Sequence, residues 1–118
     1  MSSIAIIDPD AAVRDSIHIL LTDHGYKSDT YSSLHSFFYN LKDKYYTCIV
    51  LSDAAILLEH PIIDRLMQFS PTKNIIILAD QNNHQVLDLS KKLDFQKVFF
   101  KPIIADKFIT FINKTQST

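Results

Sequence analysis

Asp8, Asp10, Asp53 and Lys101 stand at or close behind short apolar runs of this 118-residue chain. Asp8, Pro9 and Asp10 follow Ile4–Ile7, and Ser52 and Asp53 follow Thr47–Leu51. Asp80 follows Asn74–Ala79, and Lys101 and Pro102 follow Lys97–Phe100. Carboxylates gathered in one place repel each other, and a cation or an ammonium group must offset that repulsion. Mg2+ suits such a cluster, because it prefers oxygen ligands and usually takes one or two carboxylates plus water and phosphate oxygens. A carboxylate beside Mg2+ and a lysine can attack a phosphoryl group to form an aspartyl phosphate, with metal and ammonium sharing the charge on the phosphoryl oxygens.

For these groups to meet, the apolar runs must be strands of one sheet. Each run is rich in Ile, Val or Phe, is too short for a helix, and reads as a strand buried on both faces. Lys27–Tyr31 is a fifth, weaker strand with alternating character. Helical patterns lie between the strands. Residues 11–24 put Val13, Ile17, Leu20 and Leu21 on one stripe, with Asp10 as N-cap and Gly25 just past the C-terminus. Residues 33–43 carry Leu34, Phe37, Phe38 and Leu41 after Ser32 or Ser33. Residues 55–69 carry Ile56, Ile63, Leu66 and Met67, with Pro61 fitting a loop and a fresh helix start. Residues 83–93, with Val86, Leu87, Leu89 and Leu93, and 104–113, with Phe108, Ile109 and Ile112, complete the series. Strand and helix alternate five times, which predicts a parallel sheet covered by helices on both faces. In such a sheet the functional crevice lies beyond the carboxyl ends of the strands, where the three acids and Lys101 fall.

Composition narrows the function classes. With 47% hydrophobic residues spread in blocks, the chain is expected to fold as one domain spanning 1–118, and disorder is excluded. The net charge is −1 with acids and bases interspersed, so nothing favours direct binding to nucleic acid. Cys48 is the single cysteine and fits a small buried hydrophobe in a reducing, cytoplasmic setting. No apolar run reaches membrane-spanning length, and residues 1–7 are unlike a signal peptide. Gly25 is the single glycine, so a glycine-rich phosphate loop is absent. The five histidines show no pair at metal-ligand spacing. Phe37, Phe38, Tyr39, Tyr45 and Tyr46 read first as core. The polar tail Asn113–Thr118 is expected to fray and is compatible with the cut end of a longer chain.

Four segments, Ile6-Ile7-Asp8, Ala12 to Ile17, Cys48 to Asp53 and Phe99-Phe100-Lys101-Pro102, resemble receiver domains of bacterial two-component response regulators in their order and spacing. The resemblance runs from Ile4 to about Ile112, and the start is most similar to receivers attached to transcription regulators. It implies a (βα)5 flavodoxin-like, CheY-like α/β fold: a three-layer sandwich around a five-stranded parallel sheet in the order 2-1-3-4-5. It implies Asp53 as the phosphoacceptor, Lys101 as the lysine that contacts the phosphoryl group, and Pro102 as the proline often joined through a cis bond. Asp8 matches the first of two adjacent acids, and Mg2+ would be held by Asp8, Asp10 and Asp53. The expected partner is a histidine kinase or phosphotransfer protein in a phosphorelay. A homodimer is expected through the face of the fourth helix, fifth strand and fifth helix (83–93, 97–100 and 104–113). Such a domain catalyses its own modification and is not an enzyme.

The chain departs from that family at functional positions. Pro9 stands where the second acid is usual, and Ala79 replaces the Ser or Thr whose hydroxyl meets the phosphoryl group. Val98 replaces the aromatic switch residue. The loop Ala54-Ala55-Ile56-Leu57-Leu58 has no glycine, and Asp94 falls near the usual glycine before the last strand. These departures define a second expectation: a pseudo-receiver that acts as a phosphorylation-independent interaction or dimerisation module.

Overall fold

The computed structural model describes residues 3–41, 45–58, 65–66, 75–80, 83–86, 88 and 97–116. Five strands, β1 (Ser3–Ile7), β2 (Lys27–Tyr31), β3 (Cys48–Ser52), β4 (Ile75–Ala79) and β5 (Lys97–Phe100), form one sheet. All neighbours pair in parallel, in the order β2-β1-β3-β4-β5. The helices are α1 (Ala11–Asp23), α2 (Leu34–Tyr39), α3 (Asp53–Leu58) and a C-terminal helix (Ala105–Gln116).

Successive strand residues point to opposite faces, so continuous apolar runs feed two cores. Ala5, Ile7, Ile49, Leu51, Ile75, Ile77 and Ala79 face Leu34, Phe37, Phe38, Ala55 and Ile56 of α2 and α3. Ile4, Ile6, Cys48, Val50, Ile76 and Leu78 face Ile17 and Leu21 of α1 and Phe108, Ile109 and Ile112 of the C-terminal helix. Fully burying one Ile or Leu side chain contributes roughly 1.5–3 kcal/mol. The three central strands, nearly all of whose side chains are buried, therefore fix the sheet that carries the site.

α1 begins and ends as its sequence predicts. Asp10 is extended (φ −86°, ψ 113°), and its side chain accepts from the amides of Ala12 and Val13. Gly25 adopts φ +84°, and its N–H donates to the Thr22 carbonyl. Ser33 rather than Ser32 caps α2, accepting from the Ser36 amide.

Several expectations are corrected. β5 is not buried on both faces: its pattern runs exposed, half-buried, half-buried, exposed, because the strand order leaves it at a sheet edge. α2 stops at Tyr39, short of the predicted 43. α3 starts at Asp53 instead of 55, because the Ser52 hydroxyl accepts the Ala54 amide and lets the helix turn directly off the strand. Helical residues at 84–86 and 88 fall in the fourth predicted helix; Leu87, Leu89, Leu93, Pro61, Ile63, Met67 and Asp94 lie outside the described residues. The tail does not fray from 113: the C-terminal helix runs to Gln116, whose Oε1 accepts from Thr47 Oγ1 at 2.7 Å, and Tyr26 donates to Asn113. The aromatic stretch is divided, with Phe37, Phe38 and Tyr46 buried and Tyr39 and Tyr45 exposed.

Candidate functional site

The parallel registers carry the strand ends to one edge. Ile7 pairs with Leu51, Ser52 with Leu78, and Ala79 with Phe100. The residues just past these pairs are Asp8, Asp53, Asp80 and Lys101, and neighbouring strands lie about 4.8 Å apart.

Asp53 is the centre of the arrangement. It is 4% exposed. Its Oδ2 accepts from the Asp80 amide at 3.1 Å and from Asn83 Nδ2 at 3.0 Å. Its Oδ1 lies 3.9 Å from Lys101 Nζ. The two oxygens thus differ: one is held by two donors, the other faces an ammonium group at the limit of ion-pair distance. Lys101 is held at its backbone, where its N–H donates to the Ala79 carbonyl at 2.9 Å and its bond to Pro102 is cis. Its side chain is 28% exposed, so this loose pair contributes little to stability.

Asp8 is also buried, at 2% exposure. Its Oδ1 accepts from the Asp10 amide at 2.8 Å. Its Oδ2 is buried with no hydrogen-bond partner among the described residues. Arg14 braces the loop from the other side, donating from Nη1 to the carbonyls of Asp8 (2.7 Å) and Pro9 (3.2 Å).

The structure brings Asp8, Asp53 and Lys101 to one sheet edge and gives Asp10 a different task. Asp10 is exposed and its Oδ1 caps α1, at 2.9 Å from the Ala12 amide. Among the described residues no group of three or more acidic, histidine or cysteine side chains is placed to hold a metal, so the expected trio of Asp8, Asp10 and Asp53 is not assembled. The residues nonetheless fit a divalent cation, on the strength of one observation. A buried carboxylate oxygen without a partner costs free energy, and a hard cation satisfies it. Asp8 with Asp53 makes the one or two carboxylates that Mg2+ commonly takes.

Ala79 is fully buried and offers no hydroxyl, and Val98 is half-buried against the α2 and α3 core. Asn83 is the site residue that sequence reasoning missed. An Asn at a helix start signals an N-cap, and Asn83 Oδ1 does accept from the Val86 amide at 3.1 Å. Its bond to Asp53 spans 30 positions and leaves no local trace.

This architecture defines the class: a CheY-like, flavodoxin-type α/β sandwich with a carboxylate and lysine pocket at the carboxyl edge of its sheet. No family model matches the sequence, and no curated protein matches it. Solved structures that share this fold include response regulator receiver domains. One is a receiver protein from Burkholderia phymatum, with TM-score 0.80 and 19% identity over 98% of this chain and 94% of that one. Another is a CheY-like receiver domain protein from Methanospirillum hungatei, with TM-score 0.83 and 15% identity over 97% and 92%. Full-length FixJ from B. japonicum gives TM-score 0.81 and 21% identity over 98% of this chain and 60% of that chain.

Proposed function

We propose that the chain is a receiver domain that accepts a phosphoryl group on Asp53 from a histidine kinase or phosphotransfer protein in the cytoplasm. The observation that carries this reading is the asymmetry at Asp53: Oδ2 is held by two N–H donors while Oδ1 faces Lys101. In the transfer, Oδ1 attacks phosphorus and the new O–P bond forms as the P–N bond to the donor imidazole breaks. The electron pair of that bond stays on the imidazole nitrogen. Lys101 offsets the charge on the phosphoryl oxygens, an electrostatic task for which a positioned ammonium group is suited. Asp8 and Asp53 would hold Mg2+, which supplies further positive charge to those oxygens when bound. A second copy of the chain would dock against β5 and the start of the C-terminal helix, where Phe100 and Ile104 are exposed.

The test is incubation with acetyl phosphate or beryllium fluoride and Mg2+, followed by intact mass and amide spectra. The expected result is a mass gain with acetyl phosphate and a spectral change with either reagent, both abolished by Asp53→Ala. No change at millimolar Mg2+ overturns this reading in favour of a phosphorylation-independent interaction module, which buried Ala79 would then explain. A change that persists in Asp53→Ala overturns the site itself.

A further inference from the structure

Asn83 bridges the carboxylate of Asp53 and the helical segment that begins at 84. The NH2 end of its carboxamide donates to Asp53 Oδ2 at 3.0 Å, and the C=O end accepts from the Val86 amide at 3.1 Å. The partners fix which end is which, because a carboxylate only accepts and a backbone N–H only donates. The residue is half-buried, and its backbone N–H donates to the Asp80 carbonyl at 3.0 Å. Asp80 in turn donates its amide to Asp53 Oδ2 at 3.1 Å. Asp80 and Asn83 are therefore joined to each other and each holds the same carboxylate oxygen.

A carboxamide is planar and rigid, so its two ends cannot move independently. We propose that Asn83 is the positioning residue of Asp53 and the link from that carboxylate to the helical segment beginning at 84. By holding Oδ2, the amide turns Oδ1 outward as the attacking oxygen. When the O–P bond forms at Oδ1 and the donor's bond to phosphorus breaks, Oδ2 becomes a neutral acyl oxygen. It is then a weaker acceptor than the carboxylate oxygen it was, since hydrogen bonds to charged groups are the stronger ones. The phosphoryl oxygens, now the most negative acceptors nearby, compete for the Asn83 amide. Any turn of the carboxamide toward them also moves the cap on Val86. Ala79, with no hydroxyl, leaves this sensing to the amide.

The inference rests on the phosphoacceptor reading of Asp53, and Asn83→Asp is the informative variant. It keeps an oxygen to cap Val86 but replaces the donor with a second negative charge facing Asp53. Acetyl phosphate with Mg2+ is the probe; intact mass gives the labelling rate and the Val86 amide resonance gives the coupling. The expected result is a folded variant with Val86 still capped, labelling about tenfold to a hundredfold more slowly, the range for one lost hydrogen bond to a charged group. Its Val86 resonance should no longer follow labelling, whereas the unsubstituted protein shows a Val86 shift. Labelling of Asn83→Asp at the unsubstituted rate with the same Val86 shift overturns the inference and leaves the phosphoacceptor reading standing. If the unsubstituted protein does not label, the phosphoacceptor reading falls, and the link is judged in unlabelled protein. Asp53→Ala should shift Val86 when Asn83 is present and leave it in place in the Asn83→Asp background. An equal shift in both backgrounds, or none in either, overturns the link on its own.

Discussion

At the scale of single residues, the fold treats the two oxygens of Asp8 unequally. One accepts the Asp10 amide, and the other is buried without a partner among the described residues. An unsatisfied buried acceptor costs about 1–3 kcal/mol, so a ligand that satisfies it should stabilise the protein. Mg2+ is expected to raise the melting temperature of the unsubstituted protein, by the equivalent of about 2.7 kcal/mol at a hundredfold excess over its Kd. Asp8→Asn should remove that response, and Asp10→Asn should retain it because Asn caps helices as well as Asp does. Thermal melts with and without Mg2+ decide; a response unchanged in Asp8→Asn rules Asp8 out as a ligand. Asp8, Asp53 and Lys101 were legible in the sequence because each sits at or just past the end of an apolar run, and parallel strands bring such ends together. The division of labour between Asp8 and Asp10 was legible only as two competing roles, since it depends on backbone angles at Asp10. Asn83 was not legible as a site residue at all, because its contact with Asp53 is purely tertiary.

At the scale of elements, α1 was readable to within a residue, since its cap, its stripe and its terminating glycine are all local signals. Gly25 tests that reading. It holds φ +84°, and a Cβ there would meet nothing within 4 Å. Gly25→Ala should therefore destabilise through backbone strain alone, by about 1 kcal/mol, and Gly25→Asn by less. Urea unfolding of the two variants checks this, and equal losses for Ala and Asn would point to a cause other than φ. β5 shows the opposite case. Its Lys-Val-Phe-Phe run reads like a buried strand, yet exposure at a sheet edge is decided by strand order, which no local pattern contains. The early start of α3 belongs here too. The hydroxyl of Ser52 caps the first turn by accepting the Ala54 amide, a role that the end of a buried strand does not announce.

At the scale of the whole molecule, two cores share one sheet, and ionisable groups lie within or against them. Burial pushes the Cys48 thiol up to about 12 from an ordinary 9.0, outweighing hydrogen bonds to Thr115 and Ile49 that pull it down. Burial also raises the Tyr46 hydroxyl, helped by its hydrogen bonds with Tyr31 and Asp29. A folded pKa above the unfolded one means that the unfolded chain loses its proton first. The stability is then fully present below the unfolded pKa and drains away as pH rises toward the folded one. Stability should accordingly fall between pH 9.0 and about 12 on account of Cys48, with Tyr46 adding to the loss at the alkaline end. Cys48→Ala should make that decline shallower in urea titrations across this window. An identical slope would show that the thiol takes no part. The layered architecture was legible from the alternation of runs and stripes, whereas the pairing of Tyr31 with Tyr46 was not.

The outermost strands β2 and β5 each open with an exposed lysine, Lys27 and Lys97. A strand with an open flank invites another chain to add to it, and lysines on such flanks are a known deterrent to fibre-like stacking. Because the same charge guards both ends of the sheet, head-to-tail association of two molecules would bring cation against cation. Resistance to edge-to-edge stacking is the expected consequence of these two positions. Lys97→Val, beside the exposed Phe100, should lower the concentration at which light scattering rises, while leaving Asp53 and Lys101 untouched.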